Sequence, residues 1–175
     1  RFGVGETYHT FTPGVNTFML SSGGSSLDTT FGSTNIYAHE MSAYIEDDFK
    51  IGDRLKINMG AHVSSFIVND TTYNNFQPRF SAKFLLNEHL AIKGSYAGMA
   101  QYLHLLTNGT IGLPTDLWVP VTDSVPPIEA DQVALGLAYS LGSDYEFSLE
   151  GYYKEMRNLI EYKDGASFFG SSENW

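Results

Sequence analysis

The sequence predicts an all-β fold, an antiparallel transmembrane β-barrel represented by about seven strands. Three observations predict it. The first is a two-residue alternation. In YIEDDFKIGDRLKINMGAHVSSFIV the odd positions include Ile45, Phe49, Ile51, Leu55, Ile57, Met59, Ala61, Val63 and Ile67, while the even positions are mostly polar. Successive strand side chains point to opposite faces, so the pattern marks a sheet that separates two media. The second is strand length: several segments reach ten residues or more. Globular strands average about 5–6 residues, and roughly 9–11 tilted residues cross a bilayer. The third is the rhythm of the connections, which run long, short, medium, short, long, short. Short turns at one rim and longer loops at the other are what an up-and-down membrane barrel shows.

The first strand is expected from Phe2 to Thr12. A Gly/Ser/Thr-rich stretch from Pro13 to Thr34 follows and reads as a long, mobile loop. The second strand covers Ile36 to Lys50, and Gly52-Asp53 suits a tight turn into the third, Leu55 to Val68. NDTTYNNF reads as a medium loop before a fourth strand, QPRFSAKFLL. The short NEH leads to a fifth, LAIKGSYAGMAQYLHLL. An irregular segment from Thr107 to Asp131 comes next and holds four of the six prolines. The sixth strand, QVALGLAYSL, turns at GSD into the seventh, YEFSLEGYYKEM, and a ragged tail closes the chain.

Composition narrows the class. Charged residues are 17% of the chain, against roughly 25% in a typical soluble domain. The 11 Tyr, 12 Phe and 17 Gly favour strands and turns. With no cysteine, disulfide frameworks and thiolate metal sites are excluded. A net charge of -10 argues against nucleic acid as a partner, which wants a basic stripe. The opening RFGVGETYHT has no apolar core of the kind a secretory leader carries, so none is expected within it, and no apolar run approaches the ~20 residues of a spanning helix.

Alternation alone does not say whether the apolar face meets lipid or a protein core. A soluble barrel alternates too. Strand length favours lipid, and so does the placement of aromatics. Tyr37, Phe49, Phe80, Tyr96, Tyr102, Tyr139, Tyr145, Phe147 and Tyr153 lie largely toward strand ends, as interfacial girdles require. Small residues share the apolar set: Ala43, Ala61, Ala82, Gly94, Gly98, Ala100 and Gly151. A packed core would want more bulk there. The polar set, including Lys56, Asn58, His62, Arg79, Ser81, Lys83, Lys93, Ser95, Gln101, Gln132, Glu146, Ser148, Glu150 and Lys154, would then line a wet lumen. Seven strands leave open edges, which lipid does not tolerate, so the chain is expected to be a segment of a larger barrel. Two other readings stand beside it. One is a small self-contained outer-membrane barrel of structural or adhesive role, with an eighth strand in the tail. The other is a soluble lipocalin-like binding protein, with the apolar face buried inside.

Four stretches carry a resemblance. SAYIEDDFKIGDRLKINMGAHVSSF, QPRFSAKFLLNEHLAIKGSYAGMAQYLHLLTN, GLPTDLWVPVTDSVPPIEADQVALGLAYSL and FSLEGYYKEMRNLIEYKDGA are similar to the barrel of TonB-dependent outer-membrane receptors. Its most specific pieces are PRFSAKF, SYAGMAQYLHLL running into PTDLWVP, and EGYYKEMRNLIEY. The likeness covers nearly everything from Tyr37 onward. It implies a barrel of roughly 22 strands around a plugged lumen, of which this chain supplies part. It implies the bacterial outer membrane and energy-dependent uptake of a scarce ligand: an iron chelate, cobalamin, a glycan or a peptide. The implied partners are outer-membrane lipid, the rest of the barrel and its plug domain, and the TonB energy-coupling complex acting on the whole receptor. A surface lipoprotein is a further candidate partner.

No enzyme is expected, and no cofactor. His39-Glu40 opens an H-E-x-x pattern, but Ala43 stands where a zinc-protease motif needs histidine. His9, His39, His62, His89 and His104 are scattered, so no metal site is expected. Glu46-Asp47-Asp48 reads as a solvated strand end rather than a calcium site, and the sequons at Asn69 and Asn108 read as chance. The segment from Thr107 to Asp131 is stiffened by proline and carries Trp118. Exposed loops on such scaffolds carry ligand contacts, and aromatics stack on sugars and aromatic chelators. Tyr102, His104, Asp116 and Trp118 are therefore the candidate ligand-binding residues. The competing reading has Leu117, Trp118 and Val119 packing the loop onto its neighbours.

Overall fold

The computed structural model describes residues 1–12, 16–22, 25–31, 35–106, 117–142 and 144–161, with the backbone alone for 16–22, 25–31, 106 and 117. Seven strands form one antiparallel sheet: β1 (Phe2–Phe11), β4 (Ile36–Ile51), β5 (Leu55–Val68), β6 (Thr71–Leu85), β7 (Leu90–Gln101), β10 (Ile128–Leu141) and β11 (Tyr145–Arg157). They lie side by side in that order, with β1 and β11 at the edges. Two hairpins stand apart from the sheet: β2 (Asn16–Ser22) with β3 (Ser25–Phe31), and β8 (Leu103–Leu106) with β9 (Leu117–Pro120).

Four sequence expectations change, the first being that the irregular segment from Thr107 to Asp131 holds β9 and the first residues of β10. The stretch from Pro13 to Thr34 carries the β2–β3 hairpin; its alternating NTFML and SLDTTF runs outweigh the flanking glycines and serines. The medium loop NDTTYNNF is a two-residue turn, because Val68 already faces Thr71. Asn69 takes the left-handed φ of 49° that such a turn needs and that asparagine tolerates. The fifth strand ends at Gln101, where Tyr102 leaves the sheet before β8 begins. At the other rim Gly52 and Gly142 hold φ of 62° and 65°, where a Cβ would be strained.

The register sorts the side chains. Ile45 faces Ala61, Ala61 faces Pro78, and Val133 faces Tyr96 and Tyr153. Cross-strand partners share a face, so one face carries Val4, Ile45, Met59, Phe76, Phe80, Ile92, Leu135 and Leu149. All of these are exposed, Val4 at 88% and Leu149 at 73%. A lipocalin-like interior would bury them. The opposite face carries the polar set named above, and a hollow of about 520 Å³ runs across β4, β5, β6, β7, β10 and β11 on that side. The sheet therefore curls toward its polar face. Tyr102 alone of the predicted girdle leaves the apolar face, and it is buried.

The apolar band has edges. On β10 the outward residues Val133, Leu135, Leu137, Tyr139 and Leu141 are apolar, and Asp131 and Glu129 precede them. At ~3.4 Å per residue and a ~40° tilt, that run rises roughly 20 Å, close to the ~25 Å band of membrane barrels. At its upper margin the Tyr96 hydroxyl donates to Asp131 Oδ1 at 2.7 Å, and Arg157 Nη2 meets Asp131 Oδ2 at 2.7 Å. Asp47 is an exception, an outward acid near the turn end of β4 whose carboxylate accepts from the Asp48 backbone N–H at 3.0 Å.

Pro78 sits inside β6 and has no N–H to donate. The β6–β7 ladder accordingly stops at Arg79↔Ala97, one pair short of Pro78 and Gly98. A Cβ at Gly98 would lie 3.0 Å from Pro78 Cδ, so the glycine admits the proline ring. Beyond that point β6 stays with β5 and β7 stays with β10.

Placing a lysine on the apolar face should be costly and on the polar face should not. Met59→Lys in the intact protein is expected to lose ~2–4 kcal/mol of stability in lipid vesicles if it lies near the bilayer midplane. Asn58→Lys, one residue away on the other face, should be close to neutral. Equal urea midpoints for the two variants would contradict the assignment of faces.

Candidate functional site

Above Pro78 the gap between β6 and β7 is bridged by one side chain. Gln77, nearly buried, accepts the Ala100 backbone N–H on Oε1 at 3.2 Å and donates from Nε2 to Ser64 Oγ at 2.9 Å. It substitutes for the ladder that proline removed and ties β5 to β7. Tyr102 then turns inward over this bridge. Its hydroxyl lies 2.6 Å from Ser64 Oγ and accepts from Asn75 Nδ2 at 3.0 Å. Its ring stacks on Phe66 with centroids 4.7 Å apart and planes 8° from parallel.

Tyr102 brings the following segment with it. The Val121 N–H donates to the Tyr102 carbonyl at 3.0 Å, and the Tyr73 hydroxyl donates to the Thr122 carbonyl at 2.7 Å. Ala38, Phe66, Val68, Tyr102 and Val121 form a small buried cluster, with Phe11, Ile36 and Tyr73 packed against it. These wall residues belong to the bore-side face, so the cluster is a cap on the loop end of the bore. Fully burying Phe66, Val68 and Val121 is worth roughly 1.5–3 kcal/mol each. At the far side Asn158 Nδ2 holds the Pro127 carbonyl at 2.9 Å.

The β8–β9 hairpin alternates as well. His104 faces Val119 and both are buried, whereas Leu105 faces Trp118 and both are exposed. His104 Nε2 donates to the Pro126 carbonyl at 3.0 Å, and its buried Nδ1 has no partner among the described residues. Burial holds this imidazole below its usual pKa of 6.5, and the bond to Pro126 opposes the shift only in part.

Beside the cap lies a hollow of about 260 Å³ lined by His9, Phe11, Glu40, Phe66, Gln101 and Tyr102, among others. His9 Nε2 meets Glu40 Oε2 at 3.0 Å, and the His9 ring stacks on Phe11 at 5.4 Å. Aromatic walls, an acid, an imidazole and an amide together suit a hydrogen-bonding group with an apolar flank. No group of three or more possible metal ligands occurs among the described residues.

Of the residues singled out in sequence, Trp118 is exposed at 53%. Tyr102 and His104 are enclosed as fasteners of the cap. Asp116 lies outside the described residues. The packing role expected for Val119 is present, and Trp118 does not share it. His9, Glu40 and Gln77 escaped sequence reasoning. Their bore-side parity was legible, but nothing local marked them as neighbours of Tyr102.

The profile of the family described as "TonB dependent receptor-like, beta-barrel" matches residues 1–173. The chain belongs to the TonB-dependent receptor family. No curated protein and no solved structure gives a match. The receptor's all-antiparallel sheet, its exposed apolar face and its absence of helix among the described residues agree with that membership. The family is one of receptors and transporters rather than enzymes.

Two outcomes are expected of the cap. Tyr102→Phe takes the hydroxyl away from buried Ser64 and half-buried Asn75, a cost of ~1–3 kcal/mol for groups left unsatisfied. Amides of residues 117–127 should then exchange faster in deuterated buffer, and unchanged protection would refute the fastening role. Because the docked state lowers the His104 pKa, docking is at full strength above the undocked value of 6.5 and weakens as pH falls from there toward the lowered docked value. Protection of the same amides, corrected for intrinsic rates, should drop between about pH 7.5 and about pH 5.5, and His104→Asn should flatten that dependence.

Proposed function

We propose that this chain is part of the barrel wall of an outer-membrane uptake receptor. A scarce ligand is taken at the loop rim and passed through the bore with energy supplied through TonB to the whole receptor. The observation that carries the reading is the two-faced sheet with its segment after β7 folded over the bore-side face. A purely structural barrel has no need of a capped, aromatic-lined mouth. The open edges β1 and β11 call for further strands, because unpaired ladder groups in hydrocarbon cost several kcal/mol each.

The rim contributed by this wall is neutral to acidic. From the Tyr44, His62 and Gln77 row up to the loop end, the described bore-side residues include no Lys or Arg. The described residues of the cap, 102–106 and 117–127, include none either. Such a surface favours a neutral or cationic ligand rich in hydrogen-bonding groups over an anion. Trp118, exposed beside Leu105, offers a stacking face, and His9, Glu40 and Gln101 offer polar partners.

Growth tests the proposal. Cells lacking the gene should fail to grow when one ligand class is limiting: an iron chelate, cobalamin, a glycan or a peptide. Wild-type receptor should restore growth only when TonB is functional. Trp118→Ala should raise the ligand concentration needed while leaving the amount of folded receptor unchanged. If growth on every class is independent of the gene, the uptake reading fails.

A further inference from the structure

Beside the cap four aromatic rings follow one another: Phe11, His9, Phe66 and Tyr102. Phe11 stacks on His9 with centroids 5.4 Å apart and planes 11° from parallel. His9 tilts against Phe66 at 5.9 Å, and Phe66 stacks on Tyr102 at 4.7 Å. The rings come from β1, β5 and the segment after β7, and all of them line the hollow of about 260 Å³. Phe66 and Tyr102 are buried and fix the half-buried rings of His9 and Phe11 in place. Glu40, on β4, is the one acid among the described lining residues.

That carboxylate is only half met. His9 Nε2 donates to Glu40 Oε2 at 3.0 Å, whereas Oε1 has no partner among the described residues. The Glu40 side chain is 31% exposed, so a ligand can reach it. A carboxylate oxygen partly withdrawn from water and accepting nothing costs free energy until a donor arrives. The wall sends no cation to it. Its lysines gather at the other end of the polar face, where Lys50 faces Lys56, Lys56 faces Lys83 and Lys83 faces Lys93.

The sign and size of the occupant follow. Aromatic faces carry the negative part of the ring quadrupole, so Phe11 and the Glu40 carboxylate attract the same charge. An anion would be repelled by both. A neutral hydroxyl could donate to Oε1 but would gain nothing from the ring. An ammonium group meets both, and Gln101 at the margin of the hollow can bond its neighbouring polar atoms. Sites for whole small molecules run to about 300–1,000 Å³, so a 260 Å³ hollow takes one group of a larger ligand. We propose that the Phe11, His9 and Glu40 hollow is a subsite for the ammonium head of an amine-bearing ligand. The proposal rests on the uptake reading above and narrows its neutral or cationic ligand to a cationic one.

Three probes of matched size test it on the intact receptor in detergent: butylammonium, butanol and butyrate. Saturation-transfer NMR titrations read the affinity of each. Butylammonium should bind about tenfold more tightly than butanol, as a charge-assisted hydrogen bond allows, and butyrate should not bind. Glu40→Gln should abolish the preference for the ammonium and leave butanol unchanged. Phe11→Leu should weaken butylammonium severalfold through loss of the ring face. Both variants should still migrate as folded, heat-modifiable barrels, and a role for Glu40 in holding His9 alone would not separate the charged probe from the uncharged one. Equal binding of butylammonium and butanol, a preference for butyrate, or no binding by any probe would overturn the proposal. So would a preference for butylammonium that survives Glu40→Gln. Those failures leave the uptake reading standing, because ligand-dependent growth reports it separately.

Discussion

A sheet that lies in hydrocarbon has to satisfy its own backbone and can give lipid only one of its two faces. Between its edges β1 and β11 the seven-stranded sheet follows this, with the outward Asp47 and the ladder break beside Pro78 as its local departures. Each hairpin keeps the partners Ile45, Ala61, Pro78 and their successors on the apolar side. A slip of one residue in any ladder would turn that strand's polar set toward lipid. The register is therefore held by the cost of misplacing a whole stripe and not by any single contact. The short turns at Gly52 and Gly142 then only have to reverse the chain.

The departure from regularity is local and has a local cause. Pro78 withdraws one donor from an interior strand, and the ladder to β7 ends beside it. Elsewhere in a sheet this would leave buried polar groups unpaired. Here Gln77 fills the gap from its own side chain, and the separation of β6 from β7 leaves Tyr102 room to turn inward. The cap thus descends from a missing backbone hydrogen bond. Phe66, Ser64 and Asn75 meet the tyrosine with one ring face and two polar contacts, so the loop is attached to the wall at a defined place.

Charge is sorted along the polar face. Lysines gather in one cross-strand row near the turns, whereas the loop end carries imidazole, amide, hydroxyl and carboxylate groups. Net charge says nothing of this, since a chain of -10 overall has a positive zone at one end of its bore. A wall graded in this way presents different chemistry to what enters at the rim and to what lies at the base.

The sequence by itself determined the seven strands of the large sheet, the two faces and the turn-end connections. Alternation is a local property, and each apolar stripe can be counted off without knowing where the strand goes. It misjudged Asn69-Asp70 because threonine and asparagine run through both turns and polar strand faces, and the period there lacks an apolar marker. It marked the segment around Trp118 as functional but not its path, since a proline-rich stretch has no period to extrapolate. Tertiary structure decided that Tyr102 and His104 turn inward, that His9 and Glu40 join Tyr102 at the rim, and that four lysines from four strands share one row. The reason is physical: those neighbours come from register summed over several hairpins and from a ladder broken at one proline, and neither is written in any single stretch of chain.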